Sequence, residues 1–495
     1  MQELDLAKDA IFTQKTSPAA RNRYVYYPDH LVRMPHPSHG FFQNIYTMFT
    51  EPVFQGVVWG AVTEFTRNAR DADLQDESVG SFFTRRMGKA PVERILSAIH
   101  HGIYAGDVFQ LSAKSLFPAL WRHEAQEGSI WMGLMKAQSE GLEVLKQEAK
   151  YLQTMKKYEW EPLLKQTLAD NSVFTFKDGL AMLSDALVRF LFGAGNVQFR
   201  TSTPVNSISL SKDNKSIEIT SRESQEPFSH THAISALSPE HLSALHSKEG
   251  QRLIPSIPAV TVMTVNLYYR TPDLHPPGFG YLIPSAVPFE NNPERALGVV
   301  FDTAYSPSPA DLNTANWMDN YTDAVKQTRE QGRPVHINDF AWYNMPEKAN
   351  MQDEVEARGT KLTVMLGGHH WDGWPAYPDE QEGLALAKAV VERHLGIKEE
   401  PEVWKVNVQK DCIPQYTVRH EQRLEKAHRS LQREYKGRLR VAGNWMWGVG
   451  VNDCVRSAWE VVQGLKEGRQ GTGLEHVGSN EYVRLKNVDP SKTDA

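Results

Sequence analysis

From Val197 to Leu237 the apolar positions fall into a period of two. Val205, Ile208 and Leu210, then Ile217 and Ile219, predict two strands joined by the polar turn SKDNKS. Further strands are predicted at Val260–Tyr269, Leu297–Phe301 and Leu362–Leu366. Upstream, residues 40–157 read as mostly helical. Val92, Ile95, Leu96 and Ile99 mark one face, Pro91 suits a first helical turn, and Gly102 is expected as the stop. The segment 128–158 is predicted as a longer mixed helix with a Lys/Glu-rich polar side. A helix over Gln381–Leu395 carries Leu384, Ala387, Val391 and Leu395 on one side, with Gly396 after it. Residues 304–359, rich in Asn, Asp, Glu and Pro, read as a long surface insertion.

The run Arg438–Leu465 is a strand, a glycine-rich loop and a helix in succession. Leu439–Val441 is the strand; Gly443, Gly448 and Gly450 let the backbone turn and approach a ligand with no Cβ in the way. Asn452 is the expected N-cap, Asp453 lies in the first turn, and Val455, Ala458, Trp459, Val462 and Leu465 form an apolar stripe expected to face a core. Free N–H groups and the dipole at such a helix start suit a pyrophosphate or a flavin edge. The same succession also serves as an ordinary packing corner in α/β folds.

A chain of 495 residues holds two or three domains. Its 54 basic and 60 acidic side chains leave a net charge of −6, with no electrostatic footprint for nucleic acid. No apolar run is long enough to span a bilayer, which leaves peripheral membrane contact open. Cys412 and Cys454 give no disulfide framework and no CxxC pattern. The first 23 residues are too acidic for a transit peptide and lack the apolar core of a secretory signal.

No GxGxxG follows a predicted strand. GAGN at Gly193–Asn196 comes after a helical pattern and reads as its stop, while GVGVND at Gly448–Asp453 has Asp453 where Gly or Ala is preferred. His100–His101 and His369–His370 are adjacent pairs without i, i+4 spacing, so no metal ligation is expected. Neither GxSxG nor a Cys/His pairing supports acyl transfer.

Ordered blocks spread over nearly the whole chain carry a resemblance. They are TSPAARNRYVYYPDHLVRMP, ESVGSFFTRRMG, HGIYAGDVFQLSAKSLFPALW, AISALSP, GFGYLIPS, LTVMLGG, DCIPQYTVRH and AGNWMWGVGVNDC. With these the chain resembles the protoporphyrinogen oxidases, the fungal ones in particular, within the flavin amine oxidase superfamily. The resemblance implies an α/β (α+β) fold: a Rossmann-like FAD-binding domain, a mixed-sheet substrate domain and a helical membrane-binding domain. On that pattern, residues 1–37 hold the remnant of the FAD half and the start of the substrate domain, and 38–157 the membrane-binding helices. Residues 158–242 and 405–470 then supply FAD-binding segments, 243–404 the substrate domain with its insertion, and 471–495 a tail.

The implied substrate is protoporphyrinogen IX, oxidised to protoporphyrin IX with O₂ as acceptor and H₂O₂ as by-product, in haem biosynthesis. Arg23 matches the propionate-binding arginine, whose guanidinium fork suits a carboxylate. Phe279, Leu282, Met365 and Ile413 match positions lining the macrocycle pocket, though by pattern alone they are core residues. Gly102 matches a glycine beside the same cavity. For FAD, Val205 matches the adenine-end contact, and Val449, Gly450 and Val451, continued by Asn452 and Asp453, match the loop against the flavin. FAD carries the redox chemistry, and no general base is named. The resemblance also implies a peripheral place on the mitochondrial inner membrane, and it leaves open a homodimer and a contact with ferrochelatase.

The family's first βαβ unit, with GxGxxG and an acidic ribose-binding residue, is not found: Met1–Gln14 already matches the segment downstream. A unit on the order of 30 residues or more is therefore expected to be missing, leaving an exposed apolar edge on the flavin half. The open accounts are an incomplete reading of an active oxidase and a relative that has lost catalysis but binds a tetrapyrrole or a partner. Another flavin amine oxidase, acting on polyamines or carotenoid precursors, is the second enzyme reading; Arg23 within ARNR together with GFGYLIP argues for a carboxylate-bearing ring instead.

Overall fold

A computed structural model describes residues 1–222, 226–246, 252–304, 359–479 and 481–485. The apolar runs between 259 and 414 build its largest sheet. Its strands are β1 (Tyr24–Tyr26), β2 (Leu31–Arg33), β3 (Ala259–Tyr269), β4 (Gly280–Leu282), β5 (Ala296–Phe301), β6 (Thr360–Gly367) and β7 (Val403–Pro414). They lie in the order β7-β3-β6-β5-β4-β1-β2, antiparallel throughout except for the parallel β4/β1 pair. The predicted strands at 260–269, 297–301 and 362–366 are thus present, the first two starting one residue earlier and the third running from Thr360 to Gly367.

Alternation along these strands separates two faces. Met263, Val265 and Leu267 of β3, with Leu362, Val364 and Leu366 of β6, are buried in one cluster. Three helices frame the sites discussed below: α1 (Ser97–Tyr104), α2 (Glu380–Leu395) and α3 (Val451–Lys466). Ala387, Val390 and Val391 of α2 cover the first face. This helix stops at Gly396 with φ 73°, as its pattern predicts, and begins at a capping box, Asp379 with Glu382, that was not singled out from the sequence. On the opposite face Val260, Val262 and Leu297 pack with Ala105, just past α1, and with Met365, Cys412 and Ile413.

The helical region departs from the pattern in two places. α1 runs through Gly102 to Tyr104 and ends at Ala105, which takes the left-handed conformation. Gly102 is therefore an interior residue, and its lack of a side chain serves packing, as shown below. The predicted helix over 128–158 is broken into Ile130–Glu140, a strand Leu142–Leu145 and Lys146–Lys157. Gly141 (φ 106°) makes the break, and the strand pairs with Tyr482–Leu485, a long-range partner no local pattern reveals.

Leu439–Val441 pairs in parallel with Ala233–Ser235, and Val205–Leu210 and Ile217–Ser221 form a hairpin extended by Phe228–His230. α3 starts at Val451 with Gly450 as its N-cap, so Asn452 lies inside the first turn and is not the cap. The Asp453 carboxylate, at the third helical position, reaches back to accept from the Gly450 N–H, while glycine as N-cap offers no side chain to the first turn. The stripe expected to face a core does not: Val455 and Val462 are exposed, and Ser457, Val461 and Gly464 are buried instead. Small residues allow the close approach; a Cβ on Gly464 would meet Arg440 Nη1 at 2.6 Å. Exposed Ile234 and Leu237 continue this open apolar side. The insertion predicted at 304–359 lies almost entirely outside the described residues.

Candidate functional site

The structure brings most of the expected site residues together in pairs around one sheet. Arg23 enters β1, and its guanidinium carbon lies 4.9 Å from the centroid of the Phe279 ring. The Phe279 N–H donates to Asn22 O at 3.0 Å, which ties the two segments at the backbone. Leu282 ends β4. Added Cβ atoms on Gly102 and on Gly298 would approach its Cδ atoms to 2.9 and 3.0 Å, so both glycines make room for this one side chain. Gly298 in turn registers with Met365 across β5 and β6. Met365 and Ile413 share the apolar cluster with Ala105, Val260 and Val262. The result is an apolar wall with a guanidinium at one end.

Several residues at this wall were not singled out from the sequence, although they stand inside the quoted blocks HGIYAGD and DCIPQYTVRH. Past Ile413, Gln415 donates from Nε2 to Tyr104 O at 2.8 Å, and a Cβ on Gly106 would overlap the same side chain. The Tyr416 hydroxyl donates to Asn444 O in the glycine-rich loop, while Asn444 Nδ2 donates to Cys412 O at 3.5 Å. The rings of Tyr104 and Tyr416 lie 6.0 Å apart. Burial, reinforced by the Asp453 charge, raises Tyr104 to about 12 and drives Tyr416 far above the ordinary phenol range. Both remain neutral hydroxyls at physiological pH. The apolar wall and the loop ahead of α3 are thus one connected structure.

The loop has the shape of a cradle. Gly443 has φ 154°, and a Cβ on Gly448 would fall 2.1 Å from the Asp453 carboxylate. Val449, Gly450 and Val451 follow, with Gly450 and Val451 exposed. The indole Nε1 of Trp447 is buried without a hydrogen-bond partner. Val205 is not part of this loop's surroundings by pairing: it opens the separate hairpin, opposite Ser221.

The sequence pattern gave no reason to join the two histidine pairs, but the fold does. His101 Nε2 and His369 Nε2 are 2.9 Å apart, and His370 packs against both rings. Burial depresses all three, His101 to about 3 and His370 to about 2.

A model of the family described as flavin containing amine oxidoreductase matches residues 1–465. The chain belongs to this family. Among curated relatives, protoporphyrinogen oxidase of Schizosaccharomyces pombe is 28% identical over 473 residues, covering 94% of this chain and 82% of that protein. The human protoporphyrinogen oxidase is 28% identical over 469 residues, covering 92% and 81%. A solved structure from Exiguobacterium sp. 255-15, provisionally assigned as a protoporphyrinogen oxidase, superposes with TM-score 0.62 at 16% identity, covering 94% of this chain and 84% of that one. Reduced UDP-galactopyranose mutase gives 0.55 at 11% identity, covering 96% and 83%. These superpositions show a shared fold of mixed α/β type.

As a member of the flavin-containing amine oxidoreductases the chain is an FAD-dependent oxidoreductase. The loop fits that cofactor on one side: exposed backbone at Gly450 and Val451, an unpartnered indole N–H at Trp447, and the start of α3 behind them. Val449, Gly450 and Val451 would lie along the flavin. Among the described residues no second glycine-rich turn joins a parallel strand to a helix, and the parallel pair has only two strands.

Proposed function

We propose that this flavoenzyme oxidises protoporphyrinogen IX to protoporphyrin IX with O₂ as electron acceptor, releasing H₂O₂, within haem biosynthesis. The observation that carries the reading is the connection of the Arg23/Phe279 end, the Leu282–Met365–Ile413 wall and the 443–450 loop. A reduced tetrapyrrole is wide and apolar with carboxylates at its rim. It needs a flat apolar support and a fixed cation, and this sheet offers both. Gly102 and Gly298 keep the Leu282 side of the support free of further side chains.

Bound FAD supplies two-electron oxidation and reoxidation by O₂. The chain's own work is binding and orientation. Arg23 holds a propionate, the apolar wall excludes water from the ring, and the Gln415–Tyr416–Asn444 contacts fix the distance between wall and loop. Tyr416 ties the wall to the loop through its hydroxyl, with the Tyr104 ring 6.0 Å from its own. No acid–base dyad is required of the protein.

Residues 38–157 carry the membrane contact in this reading. Phe41–Thr50 has no buried residue, and Phe42, Phe49 and Trp59 are 85, 72 and 70% exposed. Among the described residues no helix is long and apolar enough to cross a membrane, so contact is from one side, proposed at the mitochondrial inner membrane. A homodimer and a ferrochelatase contact belong to the same proposal.

The test is purified chain loaded with FAD and given protoporphyrinogen IX in air. Porphyrin fluorescence should rise above the autoxidation rate, with about three H₂O₂ formed for each macrocycle, as two-electron steps require. FAD retention without porphyrin formation, or activity on polyamines in its place, overturns the assignment.

A further inference from the structure

Gly367, the last residue of β6, and Gly368 after it turn the chain back onto α1. Gly367 and Gly368 have φ 92° and 62°, and a Cβ on Gly368 would fall 2.3 Å from Ala105 O. The short turn Gly368–Trp371 is pinned there, with the His369 N–H donating to Ala105 O at 2.8 Å. This fold-back sets His369 and His370 against His101, one turn before the end of α1.

From this geometry we propose that His101, His369 and His370 bind a single divalent transition-metal ion of the imidazole-preferring kind, such as Zn²⁺. One ring nitrogen from each lies within 4.8 Å of the others, the one such histidine trio among the described residues. An independent feature is the other side of the His101 ring. His101 Nδ1 faces Ile283 O at 2.6 Å, and since a carbonyl only accepts, Nδ1 carries the proton. That leaves the Nε2 lone pair directed at His369. A backbone carbonyl holding the far nitrogen is the arrangement that orients metal-bound histidines.

The dimensions suit the ion. Two nitrogens on a tetrahedral Zn²⁺, each bonded at about 2.0–2.1 Å, lie about 3.3 Å apart. His101 Nε2 and His369 Nε2 are now at 2.9 Å, so the Gly368–Trp371 turn need shift by only a few tenths of an ångström. The charged groups acting on this cluster are Asp107 and Asp372 beside His369, and Arg295 on the other side. Three imidazoles leave a coordination position free for water or a carboxylate, Asp372 being the nearest in sequence. The ions expected are Zn²⁺, Co²⁺ and Ni²⁺, and not Mg²⁺ or Ca²⁺, which take oxygen ligands.

The test uses the full chain stripped with a chelator and titrated with Co²⁺, followed by visible absorption, and with Zn²⁺ by calorimetry. One equivalent should bind with a saturable d–d spectrum. His369→Ala and His370→Ala, checked for folding by circular dichroism, should each weaken binding by more than about 10-fold, the least that loss of an outer-shell partner costs. Replacing His36 and His39 together, a half-buried pair outside the trio, should leave it unchanged. Absence of saturable binding in the unsubstituted chain overturns the site regardless of how the variants fold. So does retention of full affinity by both single variants, or its loss on replacing His36 and His39.

Discussion

Arg23 lies against the face of Phe279, guanidinium carbon to ring centroid 4.9 Å, and this contact aims an otherwise exposed cation along the sheet edge. A stacked guanidinium keeps its fork free for a carboxylate, which a lysine ammonium does not reproduce. Arg23→Ala should therefore raise KM for protoporphyrinogen IX by about 10-fold or more, since a hydrogen bond to a charged group contributes about 1.5–3 kcal/mol. Arg23→Lys should recover only part of this. Steady-state kinetics of the FAD-loaded chain measure it, and an unchanged KM in Arg23→Ala removes this residue from the site.

Gly102 and Leu282 form a second pair with a readable consequence. An alanine at 102 would put its Cβ 2.9 and 3.0 Å from the two Leu282 Cδ atoms. Alanine is also the better helix former by about 1 kcal/mol, so the fold should survive and the melting temperature should change little. The leucine end is what must move. Gly102→Ala is expected to weaken substrate binding severalfold, and Gly102→Ala combined with Leu282→Ala to recover part of the loss by vacating the contested space. If the double variant binds no better than Gly102→Ala alone, the clash is not the cause.

The elements legible in the sequence are those whose stability is local. The Gly396 stop, the apolar side of α2 and the alternation in β3 and β6 are each written within a few residues. What was misread depends on distant partners. Gly102 looked like a helix stop because nothing local shows Leu282 packed against it, and the α3 stripe looked like a core face because its pattern does not say which side meets Arg440. The histidine trio is a tertiary product of two adjacent pairs, visible only once the 367–371 turn folds onto α1. The same holds for the buried Arg86 and Glu64, whose side chains pair while Glu64 also accepts from Ser129 and Ile130. Arg23, Phe279, Leu282, Met365 and Ile413 were found through resemblance; as residue types they are indistinguishable from ordinary surface and core positions.

His394 sets a pH limit on the α2 packing. Its Nε2 faces Asn291 O at 2.9 Å and so carries the proton, leaving Nδ1 to accept from the Tyr281 hydroxyl at 3.0 Å. The ring stacks on Tyr26 with centroids 3.7 Å apart. Burial lowers its pKa to about 4 from an ordinary value of 6.5. The unfolded chain then binds the proton first, so stability is complete above about 6.5 and is lost as pH falls toward 4. His420, buried and lowered to about 3, acts in the same sense. Thermal melts should drop by several degrees between pH 7 and 5, and His394→Gln, which keeps a neutral hydrogen-bonding side chain, should show a shallower drop. Parallel pH profiles for the two proteins would sink the attribution to His394.

The exposed aromatic ridge makes the last prediction the most direct. Gly60 is held against the Met87 carbonyl, where a Cβ would approach to 2.2 Å, so Val57–Thr63 is fixed to the body of the protein while its other side projects Trp59. Phe42 and Phe49 project from Phe41–Thr50, which has no fully buried residue and rests on the body through Met48. Met48, Phe49, Phe54, Val58 and Trp59 line a cleft of about 620 Å³ between these segments. A ridge of this kind is larger in apolar side chains than a water-facing surface normally carries. Burying each ring in the acyl boundary should contribute about 1.5 kcal/mol or more, close to tenfold in partitioning. Phe42→Ser, Phe49→Ser and Trp59→Ser should therefore each shift the chain toward the supernatant in vesicle sedimentation, with the losses multiplying. Salt should change little, because the contact is apolar and not ionic. Sedimentation insensitive to all three substitutions, or abolished by salt alone, would overturn the proposed contact through this ridge.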